Sequence, residues 1–323
     1  MRTLIRTIGL CGLAVTAASS TAFAQTWPAK PVKVIVPITA GSGIDIVARA
    51  VSQRLQETLG QPFVVENRPG AGTTTGIAAV ASAAPDGYTI LFASVAMTIT
   101  PITMAKLSYD VSRDLAGVIP LVNTPLIMVT PPGRYKNLAD FIAKAKAANG
   151  GLNYASIGYG AAAHFTSERL ALAAGFKAQM VSFRGTAEAM TEVVAGRMEF
   201  YFTPATTALG LIGDRKLDAQ VTTSRKRVPD LPNVPTTLEA GLKNADFDFW
   251  VGMMVPRQTP RAIVDRLHAT TLAITQDKAF RDQMAKTGGE VMETLTPARF
   301  DDFVKAEIER NRAIAKAAGI VAK

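Results

Sequence analysis

The sequence predicts an α/β fold: two lobes, each built on a mostly parallel sheet, around a ligand cleft. Three observations predict it. Short β-branched apolar runs alternate with amphipathic helical patterns, as parallel strands joined by helical crossovers require. Two loops of small residues, one near residue 40 and one near 158, each stand between a strand pattern and a helix start. The chain has 323 residues, 48% of them hydrophobic, enough to bury the cores of two ordinary lobes.

The first 24 residues read as an export signal. Met1-Arg2 and Arg6 form a positive start, an apolar stretch covers 8–17, and Ala22-Phe23-Ala24 is a cleavage site before Gln25. The apolar stretch is too short to span a bilayer, and none after it reaches the roughly 18 residues a span needs. The only cysteine, Cys11, lies inside the signal after Leu10, where a lipid-attachment signal needs a small residue. The mature chain is therefore expected to be periplasmic, without disulfide or thiolate chemistry. Formal charge is +9, and losing Arg2 and Arg6 leaves +7. The densest basic run, Arg225-Lys226-Arg227, sits among prolines without interleaved aromatics, which argues against nucleic acid.

Val32–Val36 is a β-branched run between Pro31 and Pro37, read as a buried strand. Beyond Asp45, apolar residues at 46, 47, 50, 51, 55 and 59 keep helical spacing up to a capping Gly60. Between them lies Pro37-Ile38-Thr39-Ala40-Gly41-Ser42-Gly43-Ile44-Asp45. A loop like this turns backbone N–H groups to one point, and the helix dipole adds positive potential, so it is suited to an anion. A strand follows at 63–66, then Asn67-Arg68-Pro69-Gly70-Ala71-Gly72 opens a helix at about Thr73. The spacing is not a dinucleotide fingerprint, and no Walker lysine follows. Pro85-Asp86-Gly87 turns into a strand at 88–93, placing Ser94 and Thr98 at the ligand-gathering edge of the sheet.

A second unit is expected from strands at 118–122 and 126–129, a helix at 138–149 and a strand at 152–155. The loop Ser156-Ile157-Gly158-Tyr159-Gly160-Ala161-Ala162-Ala163-His164 then repeats the first design. A strand at 179–183, Arg184-Gly185-Thr186 with a helix to Gly196, a strand at 198–202 and a helix opened by Thr203-Pro204 complete it. The chain returns through a proline-rich connection (229–235), a strand at 250–255, and helices at 260–275, 278–286 and 297–317, the last capped by Thr296 with Pro297 at its first position. Two facing units with anion-ready loops make the architecture of a bilobal periplasmic solute-binding protein. The expected division is 27–124 plus 247–323 for one lobe and 125–246 for the other.

The chain also resembles a known family, the extracytoplasmic solute receptors of tripartite tricarboxylate transporters, of the Bordetella uptake protein type. The resemblance rests on motifs in order: Trp27-Pro28-Ala29-Lys30-Pro31, the 37–45 loop with Ala48-Arg49, Gly60-Gln61, Val65-Glu66-Asn67-Arg68-Pro69-Gly70-Ala71-Gly72 and Pro85-Asp86-Gly87-Tyr88-Thr89. Leu107-Ser108-Tyr109-Asp110, the 154–164 loop, Phe183-Arg184-Gly185 and Leu231-Pro232-Asn233-Val234-Pro235-Thr236 follow. It implies capture of an organic acid, no cofactor, and delivery to membrane permease subunits. It also implies that loops at 39–43 and 156–161 hold the ligand carboxylate through backbone groups and bridging waters. Three departures bear on the ligand. Ile38, Ser42 and Ile44 replace the family's usual Phe, Gly and Ser or Thr; Ala161 replaces Ser; and Phe183-Arg184-Gly185 replaces Tyr-Lys-Gly. Losing the hydroxyl at Ala161 removes a hydrogen bond worth about 0.5–1.5 kcal/mol. Ile44 suits an apolar body, and Arg184 can pair with a second carboxylate.

The expected ligand contacts are Thr39, Ala40, Gly41, Ser42, Gly43, Asp45 and Ser94 from one side. From the other come Ser156, Gly158, Gly160, Ala161, His164 and Arg184. A bulky residue at Gly41 is expected to fill the loop. Asp45 can serve as an acid, a partner for a ligand amine, or a stabiliser of the helix dipole. The ligand is read as a mono- or dicarboxylate with an apolar body, aliphatic or aromatic, bound by a monomer. An enzyme is not expected. His164 fits capping better than proton transfer, His268 has no acidic or cysteine partner nearby, Ser156 lacks the first glycine of a nucleophile elbow, and no metal-ligand spacing occurs. Two other readings stay open at this point: a binding component that reports to a membrane sensor, and a cleft hydrolase or lyase. Trp250 fits either a cleft wall or the core.

Overall fold

The computed structural model describes residues 27–243, 245–286, 288–317 and 319–322. The expected export signal lies outside them. The first half runs β1 (Val32–Val36), α1 (Gly43–Leu59), β2 (Phe63–Asn67), α2 (Thr74–Ala81), β3 (Thr89–Ser94) and α3 (Ala96–Thr103). After one turn, α4 (Val111–Asp114), comes the long β4 (Leu115–Thr130). The second half runs α5 (Leu138–Ala147), β5 (Leu152–Ser156), α6 (Ala162–Ala174), β6 (Ala178–Ser182), α7 (Thr186–Val194), β7 (Phe200–Pro204), α8 (Ala205–Gly213) and β8 (Asp218–Thr222). The return is β9 (Asp248–Pro256), α9 (Arg261–Gln276), α10 (Lys278–Ala285), β10 (Glu290–Val291) and α11 (Pro297–Ala317).

The sheet has the order β2-β1-β3-β9-β4-β7-β5-β6, with β8 and β10 also on β4. Both flanks are parallel, as the crossovers require: β1 lies between β2 and β3, and β5 between β6 and β7. Each flank thus repeats one arrangement, in which the first strand is central and the chain goes to one side and then the other. Such a reversal leaves a crevice beyond the carboxyl ends of the strands. In the middle, β9 and β4 pair antiparallel and carry the chain between the flanks.

The sequence pattern suggests two strands where the structure has one 16-residue β4. Asn123, Thr124 and Pro125 interrupt its apolar run, and Pro120 and Pro125 have no N–H to give to a ladder. The strand accommodates them with register shifts at Gly117/Ile119 and Pro120/Val122, and changes partners from β9 to β7 and β8 along its length. Helix α3 has no expected counterpart. Pro101 lies inside it, and Met97 to Thr100 are all buried, so no amphipathic period marks it.

Two aromatic clusters anchor the halves. Phe200 packs against Phe141 and Tyr154, each at 5.3 Å, with Phe176 5.6 Å from Phe141. Trp250 packs edge-on to Phe300 (5.8 Å) and Phe303 (5.5 Å) of α11 and is 1% exposed, so it belongs to the core. Helix α11 is fixed to the first half through Asn311 Nδ2, which donates to Thr98 Oγ1 at 2.8 Å. Beyond its end, the Val321 carbonyl accepts from Tyr159 of the second half at 2.7 Å.

Candidate ligand-binding site

The two crevices face one another, and a narrow cavity of about 30 Å³ lies between them. Six of the described helices begin at its wall. Ser42, Gly43 and Ile44 bring the start of α1, Thr73 that of α2, and Ala96 that of α3. From the second half, Ala161–Ala163 bring α6, Thr186 brings α7, and Pro204 brings α8. The first N–H groups of a helix have no intrahelical partner, and each start carries about half a positive charge. Three helix starts from each side thus surround the cavity.

The rest of the wall is apolar: Ile38, Leu126, Ile157, Phe202 and Phe249, with Ser94 and Tyr201 as the further polar members. No Asp, Glu, Lys, Arg or His lines it among the described residues. Burial pushes the Tyr201 phenol up to about 12, with Thr186 and Thr203 beside it, so it stays neutral. Larger grooves exist beside Tyr135 and Pro235 (about 680 Å³) and beside Arg225–Arg227 (about 910 Å³), but both are open to solvent and gather no comparable set of helix starts.

The walls meet closely around the cavity. A Cβ at Gly72, whose φ is +64°, would fall on the Tyr159 carbonyl oxygen, and one at Gly158 would lie 3.0 Å from the Gly72 nitrogen. A Cβ at Gly43 would sit 2.6 Å from Thr206 Oγ1 and 3.2 Å from Pro204. Glycine is what lets these loops touch.

Residues 47–320 match the model of a family described as the tripartite tricarboxylate transporter family receptor. The chain belongs to that family. Among solved structures it is similar to the periplasmic binding protein BugD, with 30% identity, a TM-score of 0.86, and 92% of this chain and 100% of that one covered. It is also similar to R. palustris Rpa4515 with adipate (28% identity, TM-score 0.88, 92% and 100% covered). A third is MatC of Rhodopseudomonas palustris with bound malate (29%, TM-score 0.81, 89% and 99% covered). The periplasmic-binding-protein fold expected from the strand–helix pattern is thereby shown. The family is one of solute receptors and not of enzymes. No group of three or more His, Cys, Asp or Glu able to hold a metal occurs among the described residues.

Of the residues expected at the site, Ser42, Gly43, Ser94 and Ala161 line the cavity. The others are not among its lining residues. Thr39 stands half-buried against Gly185. Ala40 and Gly41 are exposed, and a side chain at Gly41 would enter open space, so bulk there does not fill the site. Ser156 donates to the Gly158 carbonyl at 3.1 Å, and the Gly160 N–H donates to His164 Nδ1 at 3.3 Å, so these residues shape the loop behind Ala161. His164 also faces the Tyr159 ring at 4.3 Å. Arg184 is exposed, with its N–H donating to Glu188.

Asp45 is buried and occupied. Its carboxylate accepts from the Gly41 N–H (2.9 Å), Arg49 Nε (2.9 Å) and Asn67 Nδ2 (2.9 Å), which leaves little capacity for a ligand amine. Burial alone would raise its pKa. The hydrogen bonds from Arg49, Gly41 and Asn67 outweigh that and hold it below the ordinary value of 3.8. A depressed carboxylate stabilises the fold above its unfolded pKa and loses that contribution as pH falls through the folded value. Asp45→Ala should lower the melting temperature at pH 7 by on the order of 5 °C, because each partner left unpaired costs about 1–3 kcal/mol. Asp45→Asn should flatten the loss of stability on acidification below pH 4. Scanning calorimetry from pH 3 to 7 checks both, and an unchanged acid limb in Asp45→Asn would contradict the assignment.

Several wall residues escape sequence reading. Ile157, Phe202 and Phe249 look like core, and only the alternation of β9 separates Phe249, which faces the cavity, from Trp250, which faces α11. Thr73 is the most unusual of them. It is 5% exposed, its Oγ1 has no partner, and its φ of +90° is a conformation that β-branched residues rarely adopt. The preceding Gly70, Ala71 and Gly72 also have positive φ. A non-glycine residue held there costs about 1–2 kcal/mol.

Proposed function

We propose that this chain is the exported, periplasmic receptor of a tripartite tricarboxylate-type transporter, which captures a small carboxylate with an apolar body and delivers it to the membrane permease. The observation that carries this reading is the convergence of six helix starts, three from each half, on a cavity otherwise walled by aliphatic and aromatic side chains. Partial positive charge without a cationic side chain suits a carboxylate, and the apolar wall suits a hydrocarbon body. The solved relatives described with adipate and with malate support the acid class.

The halves act as lobes, 27–124 with 247–323 and 125–246, that close on the ligand by bending at β4 and β9. Binding by both lobes favours the closed arrangement, and the closed surface is what a permease recognises. The site needs no cofactor, because backbone dipoles supply its charge.

A thermal-shift screen of the mature chain tests this, using aliphatic, hydroxylated and aromatic acids with their amides as controls. At about 100 times its dissociation constant, the right acid adds roughly 2.7 kcal/mol. A shift with an acid and not its amide is expected. No shift with any acid would overturn the carboxylate assignment.

A further inference from the structure

We infer that Thr73 is a ligand-binding and specificity-determining residue, whose hydroxyl donates a hydrogen bond to a carboxylate oxygen of the bound acid. The inference rests on the carboxylate reading above and adds a side-chain contact to a site otherwise served by backbone dipoles. Three observations meet at this residue. Thr73 lines the cavity between the two halves. Its Oγ1 is buried without a partner, although a buried hydroxyl is costly to leave unpaired. It stands directly before α2 with its own side chain making no capping bond, so the hydroxyl is not consumed by the helix it precedes.

The backbone adds the reason for placement. Residues 70–73 all have positive φ, and this left-handed turn brings Gly72 against Tyr159 of the opposite wall while delivering Thr73 to the cavity. Glycine would hold the same conformation without strain. Threonine there keeps the strain together with a hydroxyl that the folded chain leaves unused, the pattern of a residue held ready for a ligand. Ser42 and Ser94 differ, because their hydroxyls already accept from Asp45 and Ala96 N–H groups, both at 3.3 Å. Thr73 therefore offers a buried hydroxyl that no protein group engages, whereas theirs are each already held by one backbone N–H.

The test uses three variants of the mature chain, with adipate and benzoate as probes in titration calorimetry. Thr73→Val keeps shape and strain but removes the donor, and should weaken binding of the recognised acid about tenfold or more. Thr73→Ser keeps the donor and should bind within about threefold of the unaltered chain. Thr73→Gly relieves the strain, so it should melt a few degrees higher without ligand and still bind as weakly as Thr73→Val. Binding by the unaltered chain that Thr73→Val matches would overturn the inference and leave the carboxylate reading standing. Equal weakening by Thr73→Ser and Thr73→Val would also overturn it, since it would make the role one of shape. If the unaltered chain binds neither probe and no acid shifts its melting, both the carboxylate reading and this assignment fall.

Discussion

Gly185→Ala is expected to weaken acid binding by about ten- to a hundred-fold, with the ligand-free melting temperature changed by no more than a degree or two. Gly185 precedes α7 with φ −168°, an extended conformation that alanine adopts freely, so the substitution carries no backbone strain. The effect comes from the opposite wall. An added Cβ would lie 2.6 Å from Thr39 Cγ2 and 3.0 Å from Thr39 Cβ. Rotating the Thr39 side chain cannot relieve the contact with its own Cβ, so the backbones at 39 and 185 have to part. Those residues follow β1 and β6, strands on opposite flanks of the sheet. Forcing extra atoms into a packed contact costs about 1–3 kcal/mol, and on the proposed lobe closure that cost falls on the arrangement in which the two walls touch. Stopped-flow measurement should show most of the loss as faster release. Unchanged affinity would mean that this contact does not have to close for binding.

Trp250→Ala should have the largest effect on stability, about 3–5 kcal/mol, or on the order of 10 °C in melting temperature. The ring is 1% exposed and wedged against Phe300 and Phe303, so its removal leaves a cavity beneath α11 that the neighbours cannot fill. The adjacent Phe249 gives the complementary case. It faces the cavity between the halves, and on the proposed function Phe249→Ala should weaken binding more than it lowers stability. Differential scanning calorimetry with and without acid separates the two. A Trp250→Ala protein that melts normally but binds poorly would place Trp250 at the cleft and contradict the packing described.

The first strand, the first helix and both small-residue loops are legible in the sequence because their signals are local. Pro31, Pro37 and Gly60 mark boundaries, and Gly60 caps α1 in the left-handed conformation expected. The two strand–loop–helix junctions are legible for the same reason, since β1 leads into α1 and β5 into α6 through short loops of small residues. What the sequence hides depends on tertiary pairing. β4 looks broken because its continuity comes from partners more than a hundred residues away. Asp45 and Arg184 draw attention as charged residues beside the loops, yet one is taken up by Gly41, Arg49 and Asn67, and the other is exposed. Thr73 draws none, because an unpaired hydroxyl and a positive φ are visible only in the folded chain.

The most direct measurement is a crystal structure of the mature chain with the acid that gives the largest thermal shift. The expected result is the acid between the two halves, with its carboxylate oxygens within hydrogen-bond distance of backbone N–H groups at the starts of α1 and α6. Its hydrocarbon should lie against Ile38, Ile44, Phe202 and Phe249. An acid seated instead on Arg225 and Lys226, or in the groove beside Tyr135, with the space between the halves left free, would contradict the assignment of the site.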